Sequence, residues 1–160
     1  MTITFQFDKK GDWDYLSYNG PINEDAEVHL GQLVQQLGKN VIFNFRGVEY
    51  VNSCGVRAWI NFLREVEKSG REVVFEECTP EIVGQINMIP NFKGKAHIKS
   101  VYASYACESC GHQQWSLFEE GRNLPETSDV ELPEQKCEKC GSAMEMEELE
   151  DEFFAWLDAG

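Results

Sequence analysis

The chain opens with two segments whose apolar and polar residues alternate, Thr2–Phe7 and Trp13–Tyr18, on either side of Lys9-Lys10-Gly11-Asp12. Period-two patterning around a Gly-containing turn predicts a β-hairpin. The period then changes. Leu30, Leu33, Val34 and Leu37 share one helical face within Ala26–Leu37, with capping and acidic residues at Asn23–Asp25 and Gly38 at the stop. Val41–Phe45 is a short apolar run of the kind found in a central strand covered by helices. The chain continues through Val48–Val51, turns at Asn52-Ser53-Cys54-Gly55, and enters a long helix marked by Val56, Trp59, Ile60, Leu63 and Val66, which Ser69-Gly70 ends. Arg71–Glu76 is the next strand. Thr79-Pro80-Glu81 opens another helix with a cap and a first-turn proline. Its apolar face is Ile82, Val83, Ile86 and Ile89, and Pro90 stops it; Ala96–Tyr105 is the last strand of the domain. The order β-β-α-β-α-β-α-β predicts an α/β domain over residues 1–105, with two right-handed crossovers in its second half.

Residues 106–160 have a different character. Cys107-Glu108-Ser109-Cys110-Gly111 and Cys137-Glu138-Lys139-Cys140-Gly141 are two copies of CxxCG. Two thiolates three positions apart chelate one ion when the backbone turns tightly between them, and a following glycine tolerates the positive φ of such a knuckle. Two knuckles supply Cys107, Cys110, Cys137 and Cys140 as a closed set for one structural zinc, with no open position for catalysis. Two disulfides, or an iron site on the same thiolates, are the competing readings. Trp115–Phe118, Val130–Leu132 and the Met144/Met146 segment are the expected strands, and His112 reads as a surface residue. The segment Cys107–Leu149 resembles the zinc ribbons, a small β fold of many functions. In the acidic tail, Phe153, Trp156 and Leu157 share a face of a short helix, expected to pack inward, with an exposed docking segment for a basic partner as the competing reading.

Composition narrows the function classes. The hydrophobic share, 42%, suits a real core. The N-terminus lacks the apolar stretch of a signal peptide and no run is long enough to span a membrane, so a cytoplasmic protein is expected. Cysteines in a reducing compartment favour metal or free thiol. The net charge is −14, and residues 101–160 carry 3 Lys/Arg against 15 Asp/Glu. Nucleic-acid affinity rests on cations displacing counterions, so a nucleic-acid partner is not expected.

The strand–turn–helix at Asn52-Ser53-Cys54-Gly55 puts four residues at a helix N-terminus, where unpaired amides favour an anion. A phosphoryl group on Ser53 is tolerated there and alters what docks; a capping role alone also explains the serine. A first-turn thiol such as Cys54 can be reactive, though no histidine is near in sequence, and a small buried residue is the expected role for both Cys54 and Cys78.

Residues 1–105 resemble the STAS domains, the family of anti-sigma factor antagonists and of the cytoplasmic domains of anion transporters. The likeness is carried by Val41–Phe45, Gly47–Val56 and Lys68–Val74. In the antagonists the turn reads Asp-Ser-Ser/Thr-Gly and the serine accepts phosphate; Ser53 and Gly55 match, while Asn52 and Cys54 depart. The resemblance implies a STAS-like mixed sheet with helices, joined to the small zinc ribbon. It implies a bacterial partner-switching protein that binds an anti-sigma-type kinase or signalling scaffold, with Ser53 as phosphorylation site. No catalytic constellation is visible, so no enzyme activity is expected. The alternative is a small-anion or redox sensor that uses the Asn52–Gly55 helix terminus or Cys54.

Overall fold

The computed structural model describes residues 3–129 and 131–158. Gly11, at φ +63°, supplies the left-handed backbone of a two-residue turn between β1 (Thr4–Lys10) and β2 (Trp13–Ile22). Both strands run further than the alternation predicts, because pairing continues through polar residues, as at Lys9↔Asp14 and Lys10↔Trp13. Thr2, the expected start, lies outside the described residues.

Helix α1 (Ala26–Val34) then leads to β3 (Asn40–Val51), which pairs parallel to β2. Helix α2 (Ser53–Lys68) leads to β4 (Val73–Glu76), parallel to β3. Helix α3 (Pro80–Met88), capped by the Thr79 hydroxyl, and the single turn α4 (Pro90–Lys93) lead to β5 (His97–Ile98), parallel to β4. The sheet order is β1-β2-β3-β4-β5. This is the predicted mixed α/β sheet.

Alternate residues of the strands point into the core: Leu16, Tyr18, Val41, Phe43, Phe45 and Phe75 are all fully buried. Trp59 of α2 fits between them, its ring 5.3 Å from both Phe43 and Phe45, and its indole donates to the Phe92 carbonyl at 2.9 Å. A large aromatic with its polar edge satisfied is a strong anchor. It fixes the position of α2 over the sheet.

The segment expected as one last strand, Ala96–Tyr105, is two strands in two sheets. After β5 the chain leaves the first sheet at Lys99, and β6 (Ser100–Ala106) enters a second one ordered β7-β6-β9-β8. The reason is pairing. β5 has only Val74 and Phe75 as partners, whereas β6 pairs antiparallel along its whole length with β7 (Gln113–Glu119) and at Tyr105 and Ala106 with β9 (Ala143–Met146). The short β8 (Gln135–Lys136) completes the sheet.

The expected strand at Val130–Leu132 is not found at residues 131 and 132, and Val130 lies outside the described residues. Pro125 and Pro133 lack ladder donors, and Asn123 turns the chain by accepting from the Glu119 amide and donating to the Leu117 carbonyl.

The tail packs inward as expected, with a different face. Helix α5 (Glu150–Phe153) breaks after one turn into a 3-10 turn (Ala155–Leu157), so Phe153, Phe154 and Trp156 are buried and Leu157 is half-buried. Phe154 meets Phe118 edge-on at 5.4 Å, and the Asn87 amide of α3 donates to the Phe153 carbonyl at 2.9 Å. The tail therefore ties the second sheet to α3.

Gly55 marks the tightest approach in the fold. A Cβ there would stand 1.8 Å from the Ile22 carbonyl oxygen, so only glycine lets the first turn of α2 lie against the end of β2. Gly55→Ala is expected to cost about 2–3 kcal/mol, and Asn52→Ala, which removes the cap, about 1 kcal/mol. Urea denaturation measures both; a Gly55→Ala protein of unchanged stability would contradict the close approach.

Candidate functional site

Two places carry the residues singled out by the sequence. The first is the start of α2. Asn52 is the cap: its side-chain oxygen accepts from the Gly55 amide at 2.9 Å. The capping explanation for Ser53 therefore does not apply. Ser53 is the first helical residue, exposed, and its hydroxyl has no hydrogen-bond partner among the described residues. Cys54 is exposed as well, against expectation, because the first turn of α2 rests on the β2–α1 connection through Gly55 and turns its neighbour outward. Cys78 is buried as expected, and burial pushes its thiol well above the ordinary range.

Ser53 and Cys54 line a shallow hollow of about 340 Å³ together with Glu24, Glu27 and Arg57. The free side of the Asn52 amide donates to the Glu24 carboxylate at 3.0 Å. That bond holds the Glu24 pKa below the usual carboxylate range. Position 52 thus offers no carboxylate of its own, but it holds one beside Ser53. Glu24 gives no sequence signal, since the contact joins two separate loops.

The second place is the cysteine cluster. Cys107 and Cys110 lie in the turn between β6 and β7, and Cys137 and Cys140 in the turn between β8 and β9. The turns share one set of bonds: Gly111 donates to the Cys107 carbonyl and Gly141 to the Cys137 carbonyl, each at 2.9 Å, with both glycines at φ +77°. Pairing of β6 with β9 brings the two knuckles face to face. The four sulfurs lie within 4.8 Å of one another, with Cys107–Cys140 at 3.5 Å and Cys110–Cys137 at 3.7 Å. A tetrahedral ion with ~2.3 Å bonds to sulfur sets its ligands about 3.8 Å apart, whereas a disulfide needs ~2.05 Å. The cluster fits one tetrahedral ion. Hydrogen bonding by Ser142 and by the Cys107 thiol pulls Cys140 down to about 6. The His112 contact also pulls Cys110 down, but desolvation and its thiol neighbours outweigh that and push it up to about 12. His112 is half-buried and stands outside the sulfur set.

A third group was not anticipated. Tyr15 of β2, Asn44 in the middle of β3, and Glu76 and Glu77 at the end of β4 share hydrogen bonds, and Tyr102 of β6 donates to Glu77 at 2.6 Å. Arg46 donates to the Tyr102 hydroxyl and lies 5.1 Å from the centre of its ring. Desolvation, then the Glu76 bond, pushes the Tyr15 hydroxyl up to about 12. These residues join the two sheets, a contact between strands far apart in sequence that no local motif announces.

No helix among the described residues is long and apolar enough to cross a membrane. No curated protein sequence matches the chain. Solved structures of similar shape include the unphosphorylated form of the anti-sigma factor antagonist SpoIIAA, at 17% identity and a TM-score of 0.43 over 59% of this chain and 86% of that one. A sulfate transporter family protein from Wolinella succinogenes is similar at 17% identity, TM-score 0.48, over 55% of this chain and 78% of that one. An anti-sigma factor antagonist from Mycobacterium paratuberculosis is similar at 16% identity, TM-score 0.49, over 60% and 86%. The family model for the STAS domain matches residues 20–100, half of the chain, from the end of β2 through α1, β3, α2 with its N-terminus, β4, α3 and β5. The chain belongs to the STAS domain family.

Proposed function

We propose that this protein is a regulatory protein-interaction module that works by binding and not by catalysis. A protein partner, an anti-sigma-type kinase or a signalling scaffold, docks at the start of α2, and phosphorylation of Ser53 controls the docking. The observation that carries this reading is the exposed, unpartnered Ser53 hydroxyl beside a carboxylate that Asn52 holds in place. A phosphoryl group adds a charge of about −1.5 to −2. At Ser53 it meets the amide-rich helix end and Arg57 one turn on, and it repels Glu24 and Glu27. The hollow's charge and outline change together, and a docked partner feels both.

The acidic lining opposes capture of a free small anion, which must find its affinity there; a covalent phosphate need not. The exposure of Cys54 in the same hollow supports a second reading, a redox sensor in which the thiol is oxidised.

In the same proposal the second sheet is a zinc ribbon, and Cys107, Cys110, Cys137 and Cys140 hold one structural Zn²⁺. The paired knuckles and the sulfur separations support it. With all four positions taken by protein, the ion serves to fold the ribbon.

Affinity capture with the wild type, Ser53→Ala and Ser53→Asp tests the switch. A nucleotide-binding kinase retained by the first two and lost by the third is expected, with intact-mass analysis of protein from cells showing one phosphate. Repeated failure to capture such a kinase sinks the circuit, and an oxygen or glutathione adduct on Cys54 favours the sensor instead. Elemental analysis should find one zinc per chain, absent from Cys137→Ser. In the metal-loaded protein, alkylation followed by peptide mapping should mark Cys54 and spare Cys78 and the four ligands. Zinc affinity should fall as pH falls, because protons compete for the thiolates; a metal-free protein whose second sheet keeps its hydrogen-exchange protection would refute the zinc assignment.

A further inference from the structure

We propose that the hollow between the end of the first sheet and the loop after β7 binds a small amphipathic organic anion, an acidic head on an apolar or aromatic body. Three stretches meet there: the segment from Lys93 to Ile98, the loop from Glu120 to Glu126, and the tail at Trp156 and Leu157. The hollow measures about 650 Å³, inside the ~300–1,000 Å³ range of small-molecule sites.

Its charge runs against that of the chain. Lys93, Lys95 and Arg122 line it against Glu120 and Glu126, in a protein of net charge −14. Four other surface hollows are neutral or acidic in their linings. Glu120 is already paired with His97, and Arg122 with Glu119. Lys93 and Lys95 have no acidic side-chain partner among the described residues. Glu67, beside them, spends a carboxylate oxygen on the Lys95 backbone amide at 2.6 Å. Two ammonium groups are therefore free to meet an anion.

Much of the remaining lining is apolar. Ile98 is buried, while Leu124, Pro125 and Leu157 are half-buried and turn part of their surface to the hollow. Trp156 completes this apolar part of the lining, a residue 9% exposed that borders the hollow. An acidic head pairs with the lysines, and the apolar body covers the leucines. Because the tail forms one wall, the same ligand holds the tail in place.

The probe for the test is 1-anilinonaphthalene-8-sulfonate, an anion on an aromatic body, titrated into the full chain and followed by its fluorescence. Its neutral counterpart, N-phenyl-1-naphthylamine, has a similar body without the acid. One saturable site per chain is expected, with the neutral probe weaker. Lys93→Glu/Lys95→Glu should weaken the anion by about tenfold or more while thermal unfolding stays nearly unchanged, since neither side chain is fully buried or ion-paired among the described residues. No saturable binding, equal binding of the neutral probe, or full affinity in the double lysine variant would each overturn the proposal.

Discussion

The structure turns on the passage of the chain from Lys99 to Ser100, where one strand ends in the first sheet and the next begins in the second. Ser100 is bound into the end of β4 at once: its carbonyl accepts from the Cys78 amide at 3.1 Å, and its hydroxyl accepts from the Glu77 amide at 2.7 Å. Tyr102 donates its amide to the Cys78 carbonyl at 2.8 Å. Each such bond contributes about 1 kcal/mol, and a buried group left without one costs more. To make them, Glu77 takes φ +50°, a backbone setting that side chains rarely adopt. The second sheet is thus fixed to the first by the backbone, and the tail closes the arrangement through Asn87.

From that junction β6 carries order in one direction to the cysteine knuckles, which begin at Cys107 directly after its last residue, Ala106. The proposed zinc stabilises the far end of a strand whose near end is already held. The start of α2 is governed separately, by Trp59 in the sheet's aromatic core and by Gly55 against Ile22. Metal and helix terminus therefore serve different ends in the proposed function. The ion makes a small sheet foldable, and the helix terminus presents Ser53 on a rigid frame. Placing a control point on a well-packed helix, with only its hydroxyl free, lets a phosphate change the surface without melting what lies beneath it.

Much of this was written locally. Period-two spacing announced the hairpin and period-3.6 spacing α2 and α3, because burial of one face imposes those periods on the sequence, while an unbroken apolar run announced β3. The paired CxxCG turns announced the cysteine cluster, since chelation by adjacent thiolates demands that spacing and a glycine after it. Non-local contacts left no such mark. The run Ala96–Tyr105 reads as one strand because both halves are apolar, and only the available pairing partners divide it at Lys99. The turn at Asn52 was legible, but the hold of its side-chain amide on Glu24 was not, since that bond spans two loops. Cys54 was misplaced because its exposure depends on how closely Gly55 lets α2 approach Ile22. The sequence by itself determined the elements, the family likeness and the sulfur set, all of which rest on spacing along one stretch of chain. The tertiary structure alone decided the sheet each strand joins, the carboxylate beside Ser53, and the cationic hollow under the tail, because these arise where distant stretches meet.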